Sequence, residues 1–245
     1  MKNIIYTILL LMVISDVYAS DMAKEARWKE QVVGDLFDGE PITLSDGKHD
    51  FLGLMIDNEQ TPKQALIVLH GIGIHPDWPQ VINPIRVQMA EKGWSTLSIQ
   101  LPILDNEAEG SAYAPLIAEA APRIQAAVDS LRKAGNNKIV IVAHSMGTRM
   151  SSYYLAQTSE HINAFIGIGM NGGTSQYLSD INLPLLDIYG SEDEVDGVIS
   201  SASDRASASK NNAAYQQQVI EGADHFFNGM DDALITEITN WLNSY

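Results

Sequence analysis

From Ala65 to the C-terminus, short aliphatic runs alternate with longer stretches in which apolar side chains recur every three or four residues. The first pattern suits strands and the second amphipathic helices, so the alternation predicts a mostly parallel sheet with helices on both faces. The predicted strands are Ala65–Leu69, Ser95–Gln100, Lys138–Ala143, Ala164–Gly169, Leu185–Tyr189 and Gln216–Ile220. In the first, third and fifth the apolar run is nearly unbroken, as in strands buried on both faces. Between them, Asn83 is placed to cap a helix that opens with Pro84 and stops near Gly93. A second helical stretch, Ala114–Ala134, carries Ile117, Ala120, Ile124, Ala127, Val128 and Leu131 on one stripe, and Pro122 is expected to split or kink it. A third helix runs from Ser145 to Gln157, and the last buries Leu234, Ile235, Ile238, Trp241 and Leu242.

Ahead of this region the chain is polar, with apolar pieces at Val32-Val33, Pro41–Leu44 and Phe51–Ile56 separated by Gly and Asp. It reads as two or three leading strands joined by turns. The fold class is therefore α/β, one doubly wound domain, with residues 20–64 supplying leading strands to a core at residues 65–245.

The first nineteen residues follow a different rule. Lys2 precedes the apolar run Ile4–Ile14, which is short for a bilayer span, and Val17-Tyr18-Ala19 puts small residues where a signal peptidase reads them. Cleavage is expected after Ala19, which places the protein in the periplasm or outside the cell, with no integral span left. The chain has no cysteine, so thiol catalysis, thiolate metal sites and disulfides are excluded. Its net charge is −16, from 15 Lys+Arg against 31 Asp+Glu. Such a field repels polyanions, so nucleic acid is not an expected partner.

One strand-to-helix junction carries chemistry. Lys138–Ala143 runs into Ala143-His144-Ser145-Met146-Gly147 and then into a helical pattern. A serine centred in so sharp a turn, with small residues two before and two after, projects its hydroxyl clear of the sheet. A nucleophilic serine needs a base, and the base needs an orienting carboxylate. Asp193 follows the strand Leu185–Tyr189 in Gly190-Ser191-Glu192-Asp193, with Glu192 as the second choice of acid. Glu194 and Asp196 read as solvated loop charges and Asp187, inside the strand, as a buried, paired one. His225 follows the last strand in Glu221-Gly222-Ala223-Asp224-His225-Phe226-Phe227, where Gly222 frees the backbone and the two Phe anchor it. The backbone amides of Met146 and Ile72 are the expected oxyanion donors, Ile72 lying in the glycine-containing loop His70–Trp78.

The remaining histidines divide. His70 is expected to brace the oxyanion loop. His75, Trp78, His144 and Asn171 are expected to border the substrate, and His49 and His161 to be solvated. His70, His75 and Asp77 match no metal-site signature, and Gly71-x-Gly73 lacks the third glycine of a nucleotide loop, so no metal and no cofactor is expected.

These residues resemble the α/β-hydrolase fold from Ala65 onward: the His70-Gly71 loop, the serine elbow, Asp193 after one strand and His225 after the last. More narrowly, His75-Pro76-Asp77-Trp78-Pro79, Ile85-Arg86 and Gly93–Pro102 resemble a bacterial family of exported hydrolase-like proteins classed as a domain of unknown function. The resemblance implies a carboxylesterase- or lipase-like serine hydrolase acting on a small acyl substrate. Ester, thioester, peptide and acyl-transfer chemistry stay open, as does the oligomeric state. The alternative is a catalytically silent hydrolase fold serving as a binding or accessory protein of the cell envelope. Met170–Pro184 is too short for a helical cap, which leaves an open site, and Asp196–Asn212 has room for one helix and a loop beside it.

Overall fold

A computed structural model describes residues 20–59 and 63–244. The expected leader lies outside them. The chain opens with helix α1 (Met22–Asp35), then β1 (Glu40–Ser45), β2 (Asp50–Ile56), β3 (Gln64–Leu69), α2 (Ile82–Glu91), β4 (Ser95–Ile99) and α3 (Ala114–Lys133). There follow β5 (Lys138–His144), α4 (Met146–Gln157), β6 (Ala164–Ile168), α5 (Ser175–Leu178), β7 (Leu185–Gly190), α6 (Ala202–Ala208), β8 (Tyr215–Ile220) and α7 (Asp231–Ser244). The strands form one sheet in the order β1-β2-β4-β3-β5-β6-β7-β8. Pairings from β4 through β8 are parallel, and β1–β2 and β2–β4 are antiparallel.

Strand alternation splits the core into two layers. Ala65, Ile67 and Leu69 of β3 and Ile139, Ile141 and Ala143 of β5 face α3 and α4. Leu66, Val68, Val140 and Val142 face α2 and α7. Because both faces are covered, the central strands carry aliphatic side chains at every position, which is why they read so clearly in the sequence. From β3 the chain winds first to β4 on one side and then to β5 on the other. The crevice at the carboxyl ends of β3 and β5 is thus a topological switch point, the general place for a ligand site in an open α/β sheet.

Three local expectations change. The Val32-Val33 piece is helix: Asp21 caps α1 by accepting from the Lys24 N–H at 2.9 Å, and only Lys24, Glu25 and Val32 of α1 are buried. Asn83 is inside α2 rather than its cap, and its amide donates to Asp77 at 2.9 Å. Pro122 does not split α3. Both Pro122 and Ala118, whose carbonyl the proline leaves without its usual donor, are exposed, so the missing bond falls on the solvent side of the helix.

Asp187 of β7 is fully buried and paired. Its Oδ2 accepts from Arg205 Nε at 2.7 Å, the Tyr215 hydroxyl at 2.8 Å and Gln217 Nε2 at 2.9 Å. Arg205, also fully buried, donates to the Val198 carbonyl at 2.7 Å and the Ser201 hydroxyl at 2.8 Å, fastening α6 over the sheet. Removing one partner strands the other charge in the core, a loss of about 3–5 kcal/mol. Arg205→Met is therefore expected to lower the urea midpoint steeply, and Asp187→Leu added to it to recover most of the loss.

Candidate active site

The serine elbow is a backbone reversal. Ser145 stands between β5 and α4 with φ 53° and ψ −121°, a left-handed conformation that an L-residue holds only under constraint. The constraints are visible. Its N–H donates to the Ile168 carbonyl at 2.9 Å, and its own carbonyl accepts from the Thr148 N–H at 2.9 Å and the Thr148 hydroxyl at 2.6 Å. A Cβ on Gly147 would lie 2.5 Å from the His70 carbonyl oxygen, and one on Gly71 would lie 2.9 Å from the Ser145 Cβ. The turn is closed against the loop after β3, and no side chain fits at either glycine. Ser145 is half-buried, and among the described residues its hydroxyl makes no hydrogen bond.

The acid and histidine loops are joined edge to edge. Gly190 meets the Ala223 carbonyl so closely that no Cβ fits there. The Glu192 N–H donates to that carbonyl at 2.9 Å, and the Gly222 N–H donates to the Ser191 hydroxyl at 2.8 Å. Across this seam Asp193, 6% exposed, meets His225, 3% exposed. Nδ1–H of His225 donates to the carboxylate, 2.8 Å from Oδ2 and 3.0 Å from Oδ1. The Val195 N–H, 3.0 Å from Oδ1, holds the carboxylate in turn. With Nδ1 committed as donor, Nε2 of the neutral ring is left as the acceptor. Of the two acids weighed, Asp193 is the one in contact with His225. Glu194 is exposed, as expected of a solvated loop charge, and its carboxylate also accepts from the His225 backbone N–H at 3.3 Å.

Gly169 is a position the sequence reading passed over. It has φ 61°, and a Cβ there would lie 2.9 Å from Cε1 of His225 and 3.1 Å from Nδ1. The imidazole therefore rests on the backbone just past β6. Gly169 follows Ile168, the residue that accepts from the Ser145 N–H, so Ser145 and His225 share one strand end as their floor. Phe227, fully buried with φ 52°, anchors the histidine loop, and the Phe226 ring meets the His225 ring edge-on at 5.3 Å.

The remaining expected residues sort by what they touch. Met146 follows Ser145 at the start of α4, and Ile72 follows Gly71 in the loop that closes on Ser145; among the described residues neither amide is engaged in a hydrogen bond. His70 braces the loop as expected: Nδ1–H donates to the Gly71 carbonyl at 2.8 Å, and Nε2 accepts from the Leu101 N–H at 2.9 Å. Asp77 accepts from Arg86 Nη2 at 2.6 Å and from Asn83, while Asp77's own N–H donates to His75 Nδ1 at 3.2 Å. Among the described residues no group of three His, Asp or Glu is placed to hold a metal. His75 lies edge-on between Trp28 of α1 at 5.3 Å and Trp78 at 5.2 Å, all three rings half-buried. Trp28 was not expected here, because the helix carrying it was read as a strand. The Asn171 side chain accepts from the Gly173 N–H at 3.1 Å and so caps a short 3₁₀ turn.

His144 departs from expectation. Expected to border the substrate, it is 1% exposed. As the last residue of β5 it points beneath the site, where its Nε2–H donates to the His225 carbonyl at 3.0 Å. Burial, and then the charge His225 would carry, push its pKa down to about 3. Burial pushes His70 down to about 3 as well. Desolvation also lowers His75, against the pull of Asp77.

The model of the family described as "Protein of unknown function (DUF3530)" matches residues 21–123 and 116–244. No curated protein matches the chain. Among solved structures, a dienelactone hydrolase from Anabaena variabilis is similar at 20% identity and TM-score 0.68, over 84% of this chain and 97% of that one. An esterase from Pyrococcus furiosus is similar at 14% identity and TM-score 0.69, over 85% and 93%. Est1E from Butyrivibrio proteoclasticus, solved with ferulic acid, is similar at 15% identity and TM-score 0.68, over 83% and 98%. The fold is that of the α/β hydrolases, with an eight-stranded, mostly parallel sheet and, among the described residues, no large cap.

The two suppressed histidines fix a pH response. Folded, His70 and His144 stay neutral to about pH 3, whereas in the unfolded chain each takes a proton near 6.5, the ordinary value for an imidazole. Between those limits the unfolded state binds more protons, so stability is lost as the pH falls through that window. Urea denaturation from pH 7 to 4 is expected to show this loss, and His70→Gln to remove one proton from its slope.

Proposed function

The chain belongs to the DUF3530 family, and from that premise we propose that it is a serine hydrolase that cleaves an ester, thioester or related acyl bond of a small substrate outside the cytoplasm. The observation that carries the reading is the two-pronged Asp193–His225 hydrogen bond, on a floor shared with the constrained Ser145. The likeness in fold to a dienelactone hydrolase and to esterases supports it. The leader expected at residues 1–19 supports export.

In this reading Nε2 of His225 accepts the Ser145 proton as Oγ attacks the acyl carbon. Asp193 fixes the ring and stabilises the imidazolium that forms. The N–H groups of Ile72 and Met146, with no other acceptor to satisfy, donate to the tetrahedral oxyanion. The imidazolium then gives its proton to the leaving alcohol, thiol or amine, which departs with the bonding pair. Water repeats the sequence on the acyl-enzyme, its proton passing to His225 and then to Ser145 as the acid leaves. Asp193 stays ionised throughout. Only short elements, a 3₁₀ turn with α5 and then α6, follow β6 and β7, so the substrate approaches past the loop that holds His75 and Trp78.

Short-chain chromogenic esters test this. Wild type is expected to turn over, Ser145→Ala to lose all activity above background, and Asp193→Asn to lose about 10⁴ in kcat through the wrong tautomer of His225. Because His70 and His144 titrate only near pH 3, the acid limb of kcat/KM is expected to fall with a slope of one proton.

A further inference from the structure

Three features at the end of β5 involve one side chain that the chemistry above does not use. The His144 Nε2–H donates to the backbone carbonyl of His225 at 3.0 Å. The two imidazoles lie 4.8 Å apart with planes tilted by 42°, and the Phe226 ring closes the cluster 5.4 Å from His144. On the other side a Cβ at Gly71 would lie 3.4 Å from His144 Nδ1, and that nitrogen is buried with no hydrogen-bond partner. His144 thus touches the oxyanion loop and the histidine loop and is covalently next to the nucleophile.

We infer that His144 is the positioning residue for His225, tying the loop that carries the base to the strand that carries Ser145 through a single N–H donor. The inference rests on the serine-hydrolase reading for its kinetic consequence, but the contact itself does not. Asp193 and Glu194 hold His225 by its ring and by its backbone N–H, both from the loop after β7. Without His144 nothing among the described residues links the His225 carbonyl to the nucleophile's own strand. The ring must stay neutral in this role, because a charged His144 would repel the imidazolium that forms on His225. Its burial secures that, and its other neighbours, Gly71, Phe226 and the neutral His70, supply no carboxylate to stabilise a proton on it. A reacting pair displaced by about 1 Å loses about 10²-fold in rate, so a lost tether is a kinetic defect before it is a folding one.

The test pairs His144→Phe, which keeps a ring and removes the donor, with His144→Gln, which keeps a donor of similar reach. The first readout is the phosphonylation of Ser145 by a fluorophosphonate, resolved into a reversible binding constant and a first-order rate. His144→Phe is expected to lower the first-order rate tenfold to a hundredfold with binding unchanged, and His144→Gln to restore most of it. The second readout needs no activity: the proton resonance of His225 Nδ1–H is expected to broaden away in His144→Phe and to persist in His144→Gln. Equal rates and equal resonances in all three proteins overturn the inference, as does a Gln variant as impaired as the Phe variant. If His144→Phe does not fold, His144→Leu, which also lacks the donor, takes its place in the comparison with wild type and His144→Gln. A wild type that never reacts, while the resonance still follows the donor, refutes the hydrolase reading and leaves the tether standing.

Discussion

The architecture of the site depends on the backbone reversal at Ser145. A residue held at φ 53° and ψ −121° costs on the order of 1–3 kcal/mol, and the surrounding structure must supply that. Here it comes from the parallel register of β3 with β5, which sets Leu69 beside Ala143 and brings the carbonyls of Leu69 and His70 up against Gly147. It comes also from β6, whose Ile168 carbonyl takes the Ser145 N–H. Shift the β3–β5 register and the serine loses the loop meant to face it. The aliphatic strands buried on both faces thus hold a strained turn as well as a core.

Much of this was legible because the physics is local. β3, β5 and β7 announce themselves as aliphatic runs since neither face reaches water. The elbow reads as small-x-Ser-x-Gly because the crowding at Gly147 admits no Cβ. Asp193 and His225 follow from their places just past strands, where a parallel sheet gathers its loops at one rim. What failed was local in a different way. α1 buries so little that its Val32-Val33 pair outweighed a helix-favouring composition and the capping Asp21, and with α1 went Trp28. His144 was placed beside the substrate by its adjacency to Ser145, and its burial and its bond to the His225 carbonyl gave no signal in the sequence. Glu194 and Gly169 gave no signal, since the contact of each is made across the seam with the His225 loop.

The two carboxylates nearest His225 act on different parts of it. Asp193 meets the ring, where it sets the tautomer, while Glu194 meets the backbone N–H, where it sets only position. Beneath them His144 and His70 are imidazoles that burial keeps uncharged, while the His225 ring is bonded to a carboxylate through its own nitrogen. The aromatic trio Trp28, His75 and Trp78 carries the same organisation outward, leaning α1 on the loop that presents the Ile72 amide. A segment ahead of the first strand thereby touches the machinery of the central ones.

The chemistry proposed for this chain requires Ser145 to be a nucleophile activated by His225. The most direct measurement is peptide mapping by mass spectrometry after reaction of the native protein with a fluorophosphonate. The account predicts one adduct, on Ser145, absent when His225 is replaced by Ala in a protein that still folds. A folded wild type that carries no adduct, or carries it on another serine while Ser145 stays unmodified, contradicts it.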